Sequence, residues 1–444
     1  MNQASSSIWI APPVLAAIAL LAFPRPAFGV QSYAAATAPA EKVTFASDIA
    51  PLLQQKCQAC HQPGGIAPMS LQTYQEVRPW AQVIKEKVTT RIMPPWHIDR
   101  SVGIQEFKND ISLSDEQIAM ISRWVDSGAP EGDPAELPPP VEWPDGSEWI
   151  LEEEFGRPPD YVIKTSPFSV PASGNDQWWM PQEVVDGLDG PRYVMANETR
   201  PTIESRPVTH HANSDVSNFG VGKPFDIYPT DTGLLLSPGD TVGFNIHYFP
   251  VGEAVEEASI EVGLWFYPRG EEPRLKTDGD KNFSSYRRTE GRQAQEMVIP
   301  PNGTITTQGI HVLQTPARIH SVRGHMHLLG TAQSLEAIYP DGRVEILSRL
   351  FWKHNWHITY LYEDHAQPLL PKGTVLIVTA WYDNTANNPA NPDPDTWVVH
   401  GRRTVDEMSH MWIGFTALDD EQFTVLVEER EQLLQERRLA QQRE

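Results

Sequence analysis

The sequence predicts a multidomain chain in which a small all-α domain is followed by all-β antiparallel sandwich material. Three observations carry this expectation. The chain has 444 residues, more than one ordinary domain holds. It contains 40 prolines and 14 tryptophans but few long apolar periodic runs, a composition of many turns and short strands. Its helix signals gather early, before about residue 135, and its strand signals follow. With 40% apolar residues, real cores are expected. The formal charge of -23 leaves no basic stripe to neutralise phosphates and argues against nucleic acid. It suits an exported protein with a small reductant or a basic redox partner.

The first residues read as an export signal over 1–29. Ile8 to Phe23 is largely apolar, and Ala27-Phe28-Gly29 offers a small-x-small site before Val30. No Lys or Arg precedes the run, so a retained anchor is the alternative. Pro12, Pro13 and Pro24 interrupt the run, which favours removal. No other segment is expected to cross a bilayer, so the product would be periplasmic or extracellular.

Residues 42–135 form the expected helical domain. Phe45 to Gln55 reads as a short first helix. Ser114-Asp115-Glu116-Gln117 is a capping box that opens another, with Ile118, Ile121, Trp124 and Val125 on its buried face and Gly128 as its stop. Between them lies Cys57-Gln58-Ala59-Cys60-His61. Two thiols at this spacing reach the two vinyl groups of one haem, and the next histidine faces the iron. These are the only two cysteines, and nothing nearby supplies further zinc ligands. The motif therefore predicts one covalent haem c on Cys57 and Cys60 with His61 as axial ligand. This stretch resembles the c-type cytochrome fold. That resemblance implies a methionine as sixth ligand, and Met93 in Met93-Pro94 fits, with Met69 the rival and His97 a weaker one. A His/Met pair suits electron transfer. The proline-rich acidic stretch 136–160 reads as a stiff connector that keeps this domain nearby without fixing its pose.

From about residue 160, short runs such as Thr241 to Phe249, Ser259 to Tyr267 and Val375 to Tyr382 alternate with turn residues, which predicts antiparallel sandwiches. Histidines recur at three places. Arg323-Gly324-His325-Met326-His327 reads as a strand whose period of two sends both imidazoles to one face, as a metal site requires. In Phe244-Asn245-Ile246-His247-Tyr248, His247 occupies one strand face. The neighbours His210 and His211 would point to opposite faces of a regular strand, so sharing a metal needs a strand end or a bulge, or binding through different ring nitrogens. Three imidazoles suit copper or zinc. Two imidazoles and a thioether favour Cu(I), and Asp406-Glu407-Met408 supplies a candidate thioether.

Taken together, His210-His211, the His247-Tyr248 strand, Arg323 to Gly330 and Asp406-Glu407-Met408 resemble, in order and rough spacing, the copper type II ascorbate-dependent monooxygenases. These include the peptidyl-glycine hydroxylating enzyme and dopamine β-monooxygenase. The resemblance implies two jelly-roll-like sandwich domains, here 161–295 and 296–425, ahead of a charged helical tail at 426–444. It implies an electron-transfer copper on His210, His211 and His247. It also implies an oxygen-binding, catalytic copper on His325, His327 and Met408. Arg323 lies where the peptide enzyme has an arginine that helps hold a substrate carboxylate. His410 and Trp412 stand where that enzyme has asparagine and tyrosine, and no cysteine remains for the disulfides of the animal relatives. The function expected is C–H hydroxylation of a small molecule or peptide with O2, with electrons delivered through the fused haem domain. The alternative is an electron-transfer or copper-binding protein without oxygenase activity. His320, His354, His357, His365, His400 and His410 receive no task at this level.

Overall fold

A computed structural model describes residues 42–63, 65, 67, 69–143, 148–220, 225–229, 231–286 and 297–442. The expected export signal lies outside these residues. Among the described residues no helix is long and apolar enough to cross a membrane. Most of the regular structure is antiparallel sheet, and helices are few.

The helices that precede the sheets include Phe45–Ile49, Ala50–Lys56, Tyr74–Val77, Ala81–Thr89, Asp115–Asp126 and Ile150–Phe155. The capping box at Ser114 forms as expected: Ser114 Oγ accepts from Gln117 N, and Gln117 Oε1 accepts from Ser114 N at 2.8 Å. Gly128, at φ 93°, then ends the helix in a conformation a side chain would oppose. Trp124, Ile121, Phe45, Ile49, Leu53 and Val77 close a core of their own.

The segment between the helices Ala81–Thr89 and Asp115–Asp126 packs away from them. Trp96, Ile98 and Phe107 are part of the core of the second sandwich. Trp96 stacks edge-on against Tyr360 at 4.7 Å, and Phe107 lies on Tyr362 at 5.4 Å. Phe351 N donates to His97 O at 2.8 Å. Apolar burial of this segment holds the helices against the second sandwich, and the stretch at 136–160 is not extended throughout as expected, since its helix Ile150–Phe155 buries Leu151 beside Trp265 of the first sandwich. Val43–Glu444 accordingly forms one compact unit.

The first sandwich packs the sheet containing Tyr161–Lys164, Ile260–Phe266 and Arg192–Pro201 on the sheet containing Gln177–Trp179, Thr241–Tyr248, Thr209–Ser214 and Asn218–Gly220. Val194, Val262, Leu264, Phe244, Ile246 and Tyr248 meet between them. The second sandwich packs Asp280–Ser284, His410–Ala417 and Ala317–His325 on Thr304–Val312, Val375–Asp383, Gly330–Ile338 and Val344–Phe351. Ile319, Val322, Ile413, Leu335 and Val378 fill that core. The division between sandwiches falls earlier than residue 295. Leu275–Lys276 pairs with the first sandwich, whereas Asp280–Ser284 pairs with His410–Ala417 in the second. The last helix spans Asp420–Gln441 and seats Phe423 and Leu426 against Leu275, Leu369 and Leu418.

Candidate metal centre

The strand Thr241–Tyr248 buries Val242, Phe244, Ile246 and Tyr248 in the sandwich core, so the period of two turns His247 outward. His211 pairs with His247 across the sheet, and the next pair is Thr209 with Tyr248. His210 is therefore the extra residue of a bulge, the device that lets adjacent histidines share a face. Ligand atoms of His210, His211 and His247 all lie within 4.8 Å of one another. The Nδ1 atoms of His210 and His247 are 3.1 Å apart. The His247 ring stacks on Trp178 at 4.2 Å, and Asp176 Oδ2 stands 3.1 Å from its Nε2.

His325 ends the strand Ala317–His325, and His327 lies beyond it in a loop. The expected strand through both residues is thus shorter than the sequence suggests, and its period does not position His327. Glu407 does. Its buried carboxylate accepts from His327 N at 3.0 Å, Leu329 N at 2.6 Å and its neighbour Met408 N at 3.1 Å. This clip sets the backbone of Met408 beside that of His327. His327 Nδ1 donates to Asp406 O at 3.0 Å, which leaves Nε2 for a metal. His325 and His327 rings are 5.6 Å apart.

The two sets adjoin. The His211 and His325 rings, from different sandwiches, lie 5.9 Å apart. Three histidines without a sequence-stated task complete the cluster: His357 between the sets, His354 near His210 and His327, and His410 stacked on His325. Trp352 closes one side, donating from Nε1 to His327 O at 2.8 Å. Signals for these residues were weak: His354 and His357 sit in a loop, and only the fold brings them to the strands. His320, His365 and His400 are bonded elsewhere, to Thr416, Glu106 and Tyr286.

Burial sets the charge of this cluster. It lowers the imidazole pKa of His210 to about 4, with the charge of His247 adding to it. It lowers that of His327 to about 4 as well. His211, His325 and His357 are held well below the usual imidazole range by burial and by one another. Neutral imidazoles are the form that binds metal. The donor set thus fits a borderline cation such as copper or zinc, and a nearby thioether would favour Cu(I).

Arg323 is buried and donates from Nη1 to Asn213 Oδ1 at 2.9 Å, with Asp280 Oδ2 3.9 Å from its Nη2. It joins the two sandwiches beside the His211 strand, with its guanidinium 5.6 Å from the Trp412 ring.

In the helical part, Cys60 N and His61 N both donate to Cys57 O, at 3.1 and 2.9 Å, which curls the cysteine motif into one turn. Both thiols are free, and burial raises that of Cys57 to about 12. His61 Nδ1 donates to Met69 O at 3.1 Å, so its Nε2 is the nitrogen left for an iron. Met93 lines a cavity of about 560 Å³ with Val88, Trp96, Leu113, Ile118 and Phe351; Cys57, Cys60 and His61 are not on its wall.

No family model matches the chain, and no curated protein matches it. Among solved structures, the chain is similar to the infectious bursal disease virus Gt strain structure at 11% identity, covering 58% of this chain and 71% of that one, with a TM-score of 0.16. It is similar to procruciferin, an 11S globulin from Brassica napus, at 7% identity, covering 59% and 85%, with a TM-score of 0.14.

Proposed function

We propose that the chain is an exported haem–copper monooxygenase, built from a c-type cytochrome-like domain and two sandwiches resembling those of the copper type II monooxygenases, that hydroxylates a C–H bond with O2. One observation carries this reading: His210, His211 and His247 bring ligand atoms within 4.8 Å of one another beside the His325 and His327 pair, to which Glu407 clips the Met408 backbone. Bound copper would supply one electron per ion and a site for O2, and haem c would pass electrons singly. In this reading His325, His327 and Met408 hold the catalytic ion, and His210, His211 and His247 hold the electron-transfer ion. Cys57 and Cys60 carry the haem, with His61 and Met93 as axial ligands.

The residues support a wire into the site. Met93 leads through Trp96 to His97, whose carbonyl accepts from Phe351 N, and the next residue, Trp352, donates to His327 O. Met69 is disfavoured as sixth ligand because its carbonyl holds His61 Nδ1, the side of the ring turned away from the iron. Arg323 gives Nη1 to Asn213 and keeps Nε and Nη2 buried without a hydrogen-bond partner, 3.9 Å from Asp280, so both a positioning role and capture of a substrate carboxylate stay open to it.

A second reading, a copper-binding or electron-transfer protein without oxygenase activity, is favoured by the closeness of the two sets, since the 5.9 Å between the His211 and His325 rings leaves no gap there for a substrate. Metal analysis with oxygen uptake separates the two. The monooxygenase requires one haem and two coppers per chain and a product heavier by one oxygen atom from some small molecule or peptide. Redox activity without oxygen uptake supports the second reading, and absence of copper refutes the monooxygenase and any copper-binding role, leaving only a haem electron carrier.

A further inference from the structure

We infer that Asp176 is a positioning residue of the first ligand set: its carboxylate faces Nε2 of His247, leaves Nδ1 for the metal and favours the oxidised copper there. This rests on the copper reading above and adds a residue to it that the resemblance does not.

Asp176 precedes the strand Gln177–Trp179, which pairs with Thr241–Tyr248 so that Trp178 lies opposite His247. The Trp178 ring stacks on the His247 ring at 4.2 Å with 8° between their planes, which fixes the imidazole plane. The two ring nitrogens have different neighbours. Nδ1 faces Nδ1 of His210 at 3.1 Å. Two nitrogens bound at about 2.05 Å to one tetrahedral ion stand roughly 3.3 Å apart, so this is the spacing of a ligand pair. Nε2 is buried, forms no directed hydrogen bond and has Asp176 Oδ2 at 3.1 Å. A carboxylate against the far nitrogen of a ligating histidine keeps the proton on that nitrogen and makes the other a stronger donor to metal.

The second sandwich fixes the carboxylate. Asp176 is exposed, and an aspartate left free there would turn to solvent. Thr404 Oγ1 donates to the same oxygen, Oδ2, at 2.9 Å. Thr404 lies in the loop whose Asp406 O holds His327 Nδ1 at 3.0 Å and which continues into Met408. One carboxylate oxygen thus meets a ligand of the first set and the loop that positions the second. Burial lowers the imidazole pKa of His210 and of His247, and the charge of Asp176 opposes this at both, so the first set lies within its field. That field favours Cu(II) over Cu(I), because it acts on two unit charges rather than one.

The test uses the full-length, haem-containing protein carrying His325→Ala and His327→Ala, which confines copper to the first set. Cu(II) and Cu(I) affinities are measured by chelator competition, and the potential by redox titration followed by EPR. Asp176→Asn should weaken Cu(II) binding about 10–100-fold. Cu(I) binding should weaken tenfold less, which raises the potential by about 59 mV. Equal weakening of both oxidation states, with the potential unmoved, would make Asp176 merely structural and overturns the inference, as do unchanged affinities. Thr404→Val removes the donor and no charge. It should raise the potential by a smaller step, and an unmoved potential there overturns the inference even where Asp176→Asn does not fold. Failure of the parent protein to bind copper overturns the copper reading as well.

Discussion

Replacing Glu407 by glutamine tests the clip on which the second ligand set depends. The carboxylate accepts from three backbone N–H groups, those of Leu329, His327 and Met408, whereas a carboxamide has one oxygen. With that oxygen left on His327 and Met408, the Leu329 N–H loses its acceptor and the new NH2 faces a donor. Two buried unsatisfied groups cost about 2–6 kcal/mol together. An opposing term exists. Burial raises the Glu407 pKa from 4.5 to about 7, so the ionised carboxylate is held in the fold at a cost of about 3 kcal/mol that glutamine removes. The net loss of stability is therefore modest, on the order of 0–3 kcal/mol, and the local geometry is the sharper readout. Loss of such an outer partner weakens metal affinity about 10–100-fold. Copper titration of Glu407→Gln should show the His325/His327 site weakened by that factor and the His210/His211/His247 site unchanged. Two unaltered sites would refute the reasoning, and equal weakening of both would mean that the substitution acts globally. The same residue has a pH signature. Between about 4.5 and about 7 the folded state binds a proton that the unfolded state lacks, so the contribution of Glu407 to stability declines as pH rises through that window and is level above it. That segment of the stability profile should vanish in the glutamine variant.

The metal-free protein should lose stability as pH falls from about 6.5 to about 4, because the unfolded chain protonates its histidines first while His210 and His327 stay neutral in the fold down to about 4. Melting temperature against pH, with and without copper, checks this; a flat apo profile would contradict it. Asp231→Asn removes the carboxylate that Arg318, buried on the other sandwich, contacts at 2.8 and 3.3 Å, and should cost about 3 kcal/mol in chemical denaturation. Trp96→Ala opens the core shared with Phe107 and Tyr360 and should cost about 3–5 kcal/mol while raising protease sensitivity near residue 96. Met93→Ala should abolish turnover driven by a haem-fed reductant and preserve turnover with a small chemical reductant; unchanged rates with both would exclude the wire.

How much of this was legible depended on whether the signal was local. The Ser114 capping box, the Gly128 stop and the outward turn of His247 are set by neighbours in sequence, and each appears as read. Strand geometry alone required a strand end, a bulge or different ring nitrogens at His210 and His211, and the register between His211 and Thr209 shows a bulge. His327 went differently. Alternation over five residues suggested a continuous strand, but a side chain some 80 residues away holds the loop instead, and no local pattern encodes that contact. The boundary near residue 295 was misjudged for the same reason: Asp280–Ser284 joins the second sandwich through pairing with a strand that lies at the end of the chain.

Residue order by itself determined the predominance of antiparallel sheet, the spacing of the cysteine motif and the outward face of His247, because turn chemistry and strand period act through adjacent or evenly spaced side chains. Tertiary packing alone decided that Trp96 and Phe107 enter the core of the second sandwich, that Arg323 joins the sandwiches through Asn213, and that His354, His357 and His410 crowd around His210 and His325. Burial and orphaned nitrogens are properties of surfaces brought together by the fold, and no single stretch of the chain carries them.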